Sequence, residues 1–126
     1  MKALVIDDSK FQRLSMERAL NRAGYEVVTA GDGESGLLAA QKAQPDIIVL
    51  DMLLPKISGI DVLRKLRREQ HTSTIPVIVL TGLCEKNRDK LLAEGATDFL
   101  EKSEVLLDGD CKRLVSVLAQ HNGGQK

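Results

Sequence analysis

The segments Ala3-Leu4-Val5-Ile6-Asp7-Asp8 and Ile47-Ile48-Val49-Leu50-Asp51 repeat one figure: four apolar residues that stop at acid. Val77-Ile78-Val79-Leu80 repeats it again and stops at Thr81. Apolar runs this short, continuous rather than alternating, are expected of strands covered on both faces inside a parallel sheet. A weaker run, Tyr25 to Ala30, and a fifth, Thr97 to Glu101, complete a set of five predicted strands.

The intervening segments carry helical periodicity. Met16, Ala19, Leu20 and Ala23 fall at i, i+3, i+4 and i+7, as do Gly36, Ala39, Ala40 and Ala43, and again Gly59, Val62, Leu63 and Leu66. A fourth helix is predicted from about Glu85 to Glu94, with Gly95 as its C-terminal cap. A fifth is predicted from about Gly109 to His121, with Leu107, Cys111, Leu114, Val115 and Leu118 on one face. Strand and helix alternate five times, which implies an α/β fold: a parallel sheet with right-handed crossovers and helices on both sides. In such a sheet every strand C-terminus lies along one edge, and ligands bind there near the point where strand order reverses.

Composition narrows the functional classes. The 126 residues suit one domain, and 43% apolar residues supply a core without disulfide or metal staples. Eighteen Lys and Arg balance eighteen Asp and Glu, which argues against attachment to nucleic acid by overall charge. Phe11, Tyr25 and Phe99 are the only aromatic residues, so stacking platforms for single strands are absent. The basic run Arg64, Lys65, Arg67, Arg68 closes a predicted helix, where cations complement the dipole. Cys84 and Cys111 lack metal-ligand spacing and fit a reducing compartment. No apolar run approaches the roughly 20 residues that cross a bilayer, so a cytoplasmic location is expected, without membrane attachment.

Function is to be sought at the strand ends, where Asp7, Asp8, Asp51, Thr81 and Lys102 stand. Helix capping would explain one of the carboxylates but hardly three. Three carboxylates brought together repel and raise one another's pKa unless a cation compensates. Oxygen ligands without His or Cys select a hard ion, and a sparse set that leaves room for water and phosphate oxygens suits Mg2+ better than calcium. A bound Mg2+ beside a carboxylate, a lysine and a threonine hydroxyl makes a place to receive a phosphoryl group on aspartate. Asp51, central in the predicted sheet, is the best candidate nucleophile; Lys102 would neutralise phosphoryl oxygens and Thr81 would hydrogen-bond one.

At these residues the chain resembles the response-regulator receiver domain of two-component signalling, over essentially its whole length. The acidic pair corresponds to Asp7-Asp8, the phosphoacceptor segment to Asp51-Met52-Leu53-Leu54-Pro55 with Gly59, the switch hydroxyl to Thr81, the switch aromatic to Phe99 and the lysine to Lys102. The resemblance implies a flavodoxin-like, doubly wound sheet of order 2-1-3-4-5 with five helices, a receiver domain over residues 1–121, and a flexible tail or start of a linker at 122–126. It also implies that Asp8, Asp51 and the Leu53 backbone carbonyl ligate Mg2+, with Asp7 acting through water. A sensor histidine kinase or histidine phosphotransfer protein would donate the phosphoryl group. Thr81 would then be drawn inward and Phe99 would fill the vacated space, switching a surface read by an output partner or output domain. Such a domain is a signalling element that promotes only its own phosphorylation and dephosphorylation, and it is not expected to bind nucleic acid directly. The alternative is a degenerate receiver that binds partners without phosphorylation.

Some residues depart from the pattern. Ser103 follows Lys102 where the family usually has a cis proline, and a cis bond before Ser costs about 2.5–4 kcal/mol, which leaves the placement of Lys102 open. Leu53 and Leu83, two residues beyond Asp51 and Thr81, are apolar where polar side chains can influence the attacking water, and slow autodephosphorylation is expected. Leu53 also stands where an aspartate-nucleophile phosphatase would need its second acid. Gly31-Asp32-Gly33-Glu34-Ser35-Gly36 spells the GxGxxG of dinucleotide-binding folds, with Asp51 at a suitable distance for ribose. Two acids in a loop meant to cradle pyrophosphate contradict that reading, and Asp32 is expected to cap the second helix instead. Leu14 is expected to be exposed on helix one, opposite its apolar stripe.

Overall fold

A computed structural model describes residues 1–52, 54–82, 88–102, 105 and 111–121. Among them are β1 Lys2–Ile6, α1 Lys10–Arg22, β2 Glu26–Ala30, α2 Gly33–Ala43, β3 Ile47–Asp51, α3 Gly59–Arg68, β4 Val77–Thr81, α4 Arg88–Ala93, β5 Asp98–Glu101 and α5 Lys112–His121. The strands form one parallel sheet of order β2-β1-β3-β4-β5, so strand order reverses beside β1 and β3.

The continuous apolar runs are buried on both faces, as their composition demands. Alternate residues feed two cores. Ala3, Val5, Ile47, Val49, Ile78 and Leu80 pack with Met16 and Leu20 of α1 and Leu114 and Leu118 of α5. Leu4, Ile6, Ile48, Leu50, Val77 and Val79 pack with Ala40 of α2, Val62, Leu63 and Leu66 of α3, and Leu91 of α4. Each fully buried Leu or Ile side chain contributes about 1.5–3 kcal/mol. The sheet is therefore doubly wound, with α1 and α5 on one face and α2, α3 and α4 on the other.

Helix ends follow local chemistry. Ser9, Asp32 and Ser58 cap α1, α2 and α3 by accepting from the N–H groups of Gln12, Ser35 and Asp61. α1 and α4 close alike: Gly24 and Gly95 take φ values of 100° and 113°, and paired bonds run back from Tyr25 to Leu20 and from Ala96 to Leu91.

One helix start needs correction, and another lies outside the described residues. α5 begins at Lys112 rather than near Gly109, because Cys111 has a left-handed φ of 50° and cannot belong to the helix, although its side chain is buried as expected. The described part of α4 begins at Arg88, and residues 85–87 lie outside the described residues, as do Cys84, Leu83, Leu107 and 122–126. The glycine-rich stretch serves packing. A Cβ on Gly33 would lie 2.7 Å from Val62 Cγ2, and one on Gly36 would lie 2.6 Å from Ile6 Cδ1. Those glycines let α2 approach α3 and β1, and Asp32 caps α2 as expected. Leu14 is exposed, and Phe11 on the same helix is 79% exposed. Among the described residues, no helix is long and apolar enough to cross a membrane.

Candidate functional site

Register builds the site. Ile6 pairs with Leu50, so Asp7 and Asp51, one residue further along, end adjacent strands. Asp51 is itself in register with Leu80, and Thr81 with Glu101, which places Thr81 and Lys102 at the next two strand ends of the same edge. Carboxylate oxygens of Asp7, Asp8 and Asp51 all lie within 4.8 Å of one another. Asp7 and Asp51 are buried, whereas Asp8 is exposed.

Lys102 reaches into this cluster: its Nζ donates to Asp51 Oδ2 at 2.6 Å and lies 3.7 Å from Asp7 Oδ2. It does so with Ser103 rather than proline after it, which resolves the placement left open by the sequence. The Asp7 carboxylate is under tension between opposing influences. Burial raises its pKa above the usual carboxylate value, and Asp51 and Asp8 add to this, while the Ser9 N–H and Lys102 oppose it. Asp7 Oδ1 accepts from the Ser9 N–H at 2.9 Å. Asp7 Oδ2 is buried and accepts no hydrogen bond among the described residues. A buried anionic oxygen without a donor is costly unless a cation meets it, so the donor set and its deficit fit a hard divalent ion.

Thr81 is buried at the end of β4, and it continues the face on which Val77 and Val79 pack. Phe99 of β5, in register with Val79, is half-buried and packs against that same core. Leu53 lies outside the described residues.

Other site residues escaped the sequence reading. Ser9 caps α1, so neither Asp7 nor Asp8 does. Arg13 donates from its guanidinium to the Asp7 backbone carbonyl at 2.8 Å and thereby ties α1 to the end of β1. A signal existed: α1 has no acid in its first turn, begins with Lys10 and carries Arg13 soon after. Cations near a helix N-terminus oppose the dipole and call for a nearby anion. Gly59 is the third. A Cβ there would lie 2.5 Å from Met52 Cα and 2.7 Å from the Asp51 carbonyl oxygen, so only glycine lets α3 rest on the end of β3.

Known proteins are similar in sequence and fold. A family model described as the response regulator receiver domain matches residues 3–108. The chain is 41% identical over 103 residues to the alkaline phosphatase synthesis transcriptional regulatory protein PhoP of Bacillus subtilis, covering 80% of this chain and 42% of that protein. It is also 41% identical over 103 residues to the DNA-binding dual master transcriptional regulator RpaA of Synechocystis, with the same coverage of 80% and 42%. The chain thus spans less than half the length of these curated relatives. The structure of the chemotaxis response regulator CheY4 of Vibrio cholerae superposes with a TM-score of 0.85 at 32% identity, covering 94% of this chain and 96% of that one. The response regulator domain of Thermotoga maritima CheB superposes with a TM-score of 0.85 at 25% identity, covering 100% and 98%. The family match and the superposable folds together show that the chain belongs to the response regulator receiver domain family of two-component signalling.

Proposed function

We propose that Asp51 accepts a phosphoryl group, with Mg2+ held by Asp7, Asp8, Asp51 and the Leu53 carbonyl, and that the modified site regulates an output partner or output domain. The observation that carries this reading is the 2.6 Å contact between Lys102 Nζ and Asp51 Oδ2 beside the under-coordinated Asp7 carboxylate. The same contact weighs against a degenerate, phosphorylation-independent receiver, because the lysine is in place despite Ser103.

The donor is a phosphohistidine of a sensor kinase or phosphotransfer protein in the cytoplasm. An Asp51 carboxylate oxygen bonds to phosphorus while the phosphorus–nitrogen bond breaks and the imidazole nitrogen keeps the electron pair. Lys102 then follows the negative charge to a phosphoryl oxygen, and the Thr81 hydroxyl donates to another, leaving space into which Phe99 turns. When bound, Mg2+ supplies positive charge against the phosphoryl oxygens, which in phosphoryl transfer is the main requirement besides positioning. Autodephosphorylation is slow because Leu53 and Leu83 offer no polar group to an attacking water.

Incubation with a small phosphodonor and Mg2+, followed by intact mass, tests the assignment. The expected result is a Mg2+-dependent phosphoryl adduct on the wild type that Asp51→Asn lacks; an adduct that survives the substitution sinks it. A Leu53→Asn/Leu83→Glu variant that loses phosphate no faster than wild type would refute the slow-decay reading.

A further inference from the structure

α3 is anchored at both ends. At its start the Gly59 N–H donates to the Met52 carbonyl at 3.1 Å, and the helix presses on the backbone of Asp51. Near its other end Arg67 is half-buried, and its guanidinium donates to the Gly95 carbonyl at 2.9 Å, Ile75 at 2.7 Å and Ser73 at 3.1 Å. One turn earlier, Arg64 Nε donates to both carboxylate oxygens of Glu94 at 3.1 Å, and a second guanidinium nitrogen adds a further bond. Glu94 and Gly95 form the corner that closes α4 and leads to β5.

The two arginines differ in kind. An exposed ion pair by itself contributes little, although the forked geometry at Glu94 favours specificity. Arg67 satisfies several backbone carbonyls at once, and those would be left without donors if it were removed. Fit around Gly95 is close: a Cβ there would meet Arg67 Cγ at 2.7 Å. Among the described side chains of α4, Leu91 is buried and Leu92 is exposed. Beyond the helix Ala96 is buried and the Thr97 N–H donates to the Val77 carbonyl, so the corner is tied to the sheet as well as to α3.

We propose that Arg64 and Arg67 hold the Glu94-Gly95 corner as a fixed pivot, so that phosphorylation changes α4 at its Arg88 end while the corner stays docked on α3. The inference rests on Asp51 being the phosphoacceptor. Thr81, at the end of β4, precedes α4, so displacement of Thr81 enters the helix from the Arg88 side and meets the clamp at the other. α3, seated on Asp51 and packed through Val62, Leu63 and Leu66, supplies the frame against which α4 turns.

Hydrogen exchange on the full chain, with and without phosphorylation verified by intact mass, tests it. In the wild type, amides of 94–96 should exchange alike in both states while those of 88–91 change. In Arg64→Glu or Glu94→Arg the corner amides should exchange about tenfold faster and become sensitive to phosphorylation, as a local opening unit does when its tie is cut. The Arg64→Glu/Glu94→Arg double variant should restore protection. Arg67→Lys keeps the charge but loses the fork, and should loosen the same amides. Corner amides that respond to phosphorylation in the wild type as strongly as 88–91, or a charge swap that restores nothing, would overturn the pivot. Absence of any adduct on the wild type overturns the phosphoacceptor reading itself, and the pivot with it.

Discussion

Lys102 Nζ lies 2.6 Å from Asp51 Oδ2 and 3.7 Å from Asp7 Oδ2, so one ammonium serves two buried carboxylates. In the proposed function that ammonium would compete with a bound divalent ion for the same oxygens, yet support the phosphoryl transfer. The two roles separate in Lys102→Met. Mg2+ affinity, read by calorimetry, should rise several-fold, while the rate of adduct formation from a small phosphodonor should fall about 100- to 1,000-fold, the usual loss when one charge-stabilising donor is removed.

Asp7 gives a prediction of opposite sign for stability and function. Its native carboxyl titrates above the usual value chiefly because it is buried. As pH rises from the ordinary carboxylate range through the raised native value, the unfolded chain ionises first, and the fold loses stability. Asp7→Asn removes that loss and can still accept from the Ser9 N–H. Its melting temperature at pH 7 without Mg2+ should exceed that of the wild type by roughly 5 °C. The wild type should gain about 2.7 kcal/mol when Mg2+ is 100-fold above its Kd, and Asp7→Asn should gain almost none; equal gains would refute metal binding through Asp7.

Gly59→Ala places a methyl group against Met52 Cα and the Asp51 carbonyl. The backbone must shift, at a cost of about 1–3 kcal/mol typical of overpacking. Urea unfolding should show that loss, and phosphorylation should slow as Asp51 moves away from Lys102. An unchanged rate at reduced stability would mean that the α3 seat does not position the acceptor.

Glu94 should lend the fold acid sensitivity. The Arg64 hydrogen bonds hold its carboxyl below the ordinary value. A lowered carboxyl contributes stability that is present above the ordinary carboxylate range and is lost as pH falls through the native value. The stability difference between wild type and Glu94→Gln, from urea midpoints, should therefore be present at pH 7 and shrink as pH falls below that range. A difference independent of pH would show that charge at Glu94 contributes nothing.

Much of the fold was legible because its signals are local. Apolar runs such as Ile47 to Leu50 mark buried strands without reference to any partner, and Asp7, Asp51, Thr81 and Lys102 could be recognised as strand-end residues by counting along the chain. Arg13 was missed because a cation early in a helix looks merely unfavourable until the Asp7 carbonyl is seen beside it. The start of α5 was misplaced because Cys111 has the right spacing for the helical face, and only its left-handed backbone excludes it.

What the chain's order of residues determined by itself was the alternation of strand and helix, the acidic composition of one sheet edge, and the lysine available to it. Tertiary structure alone decided how those groups meet. Arg67 finds the Gly95 carbonyl 28 positions away, and Lys102 finds Asp51 across 51. Periodicity constrains which face a side chain presents, but a steric contact such as Gly59 on Asp51, or a lysine shared between two carboxylates, depends on how separate elements pack, and no local pattern encodes that distance.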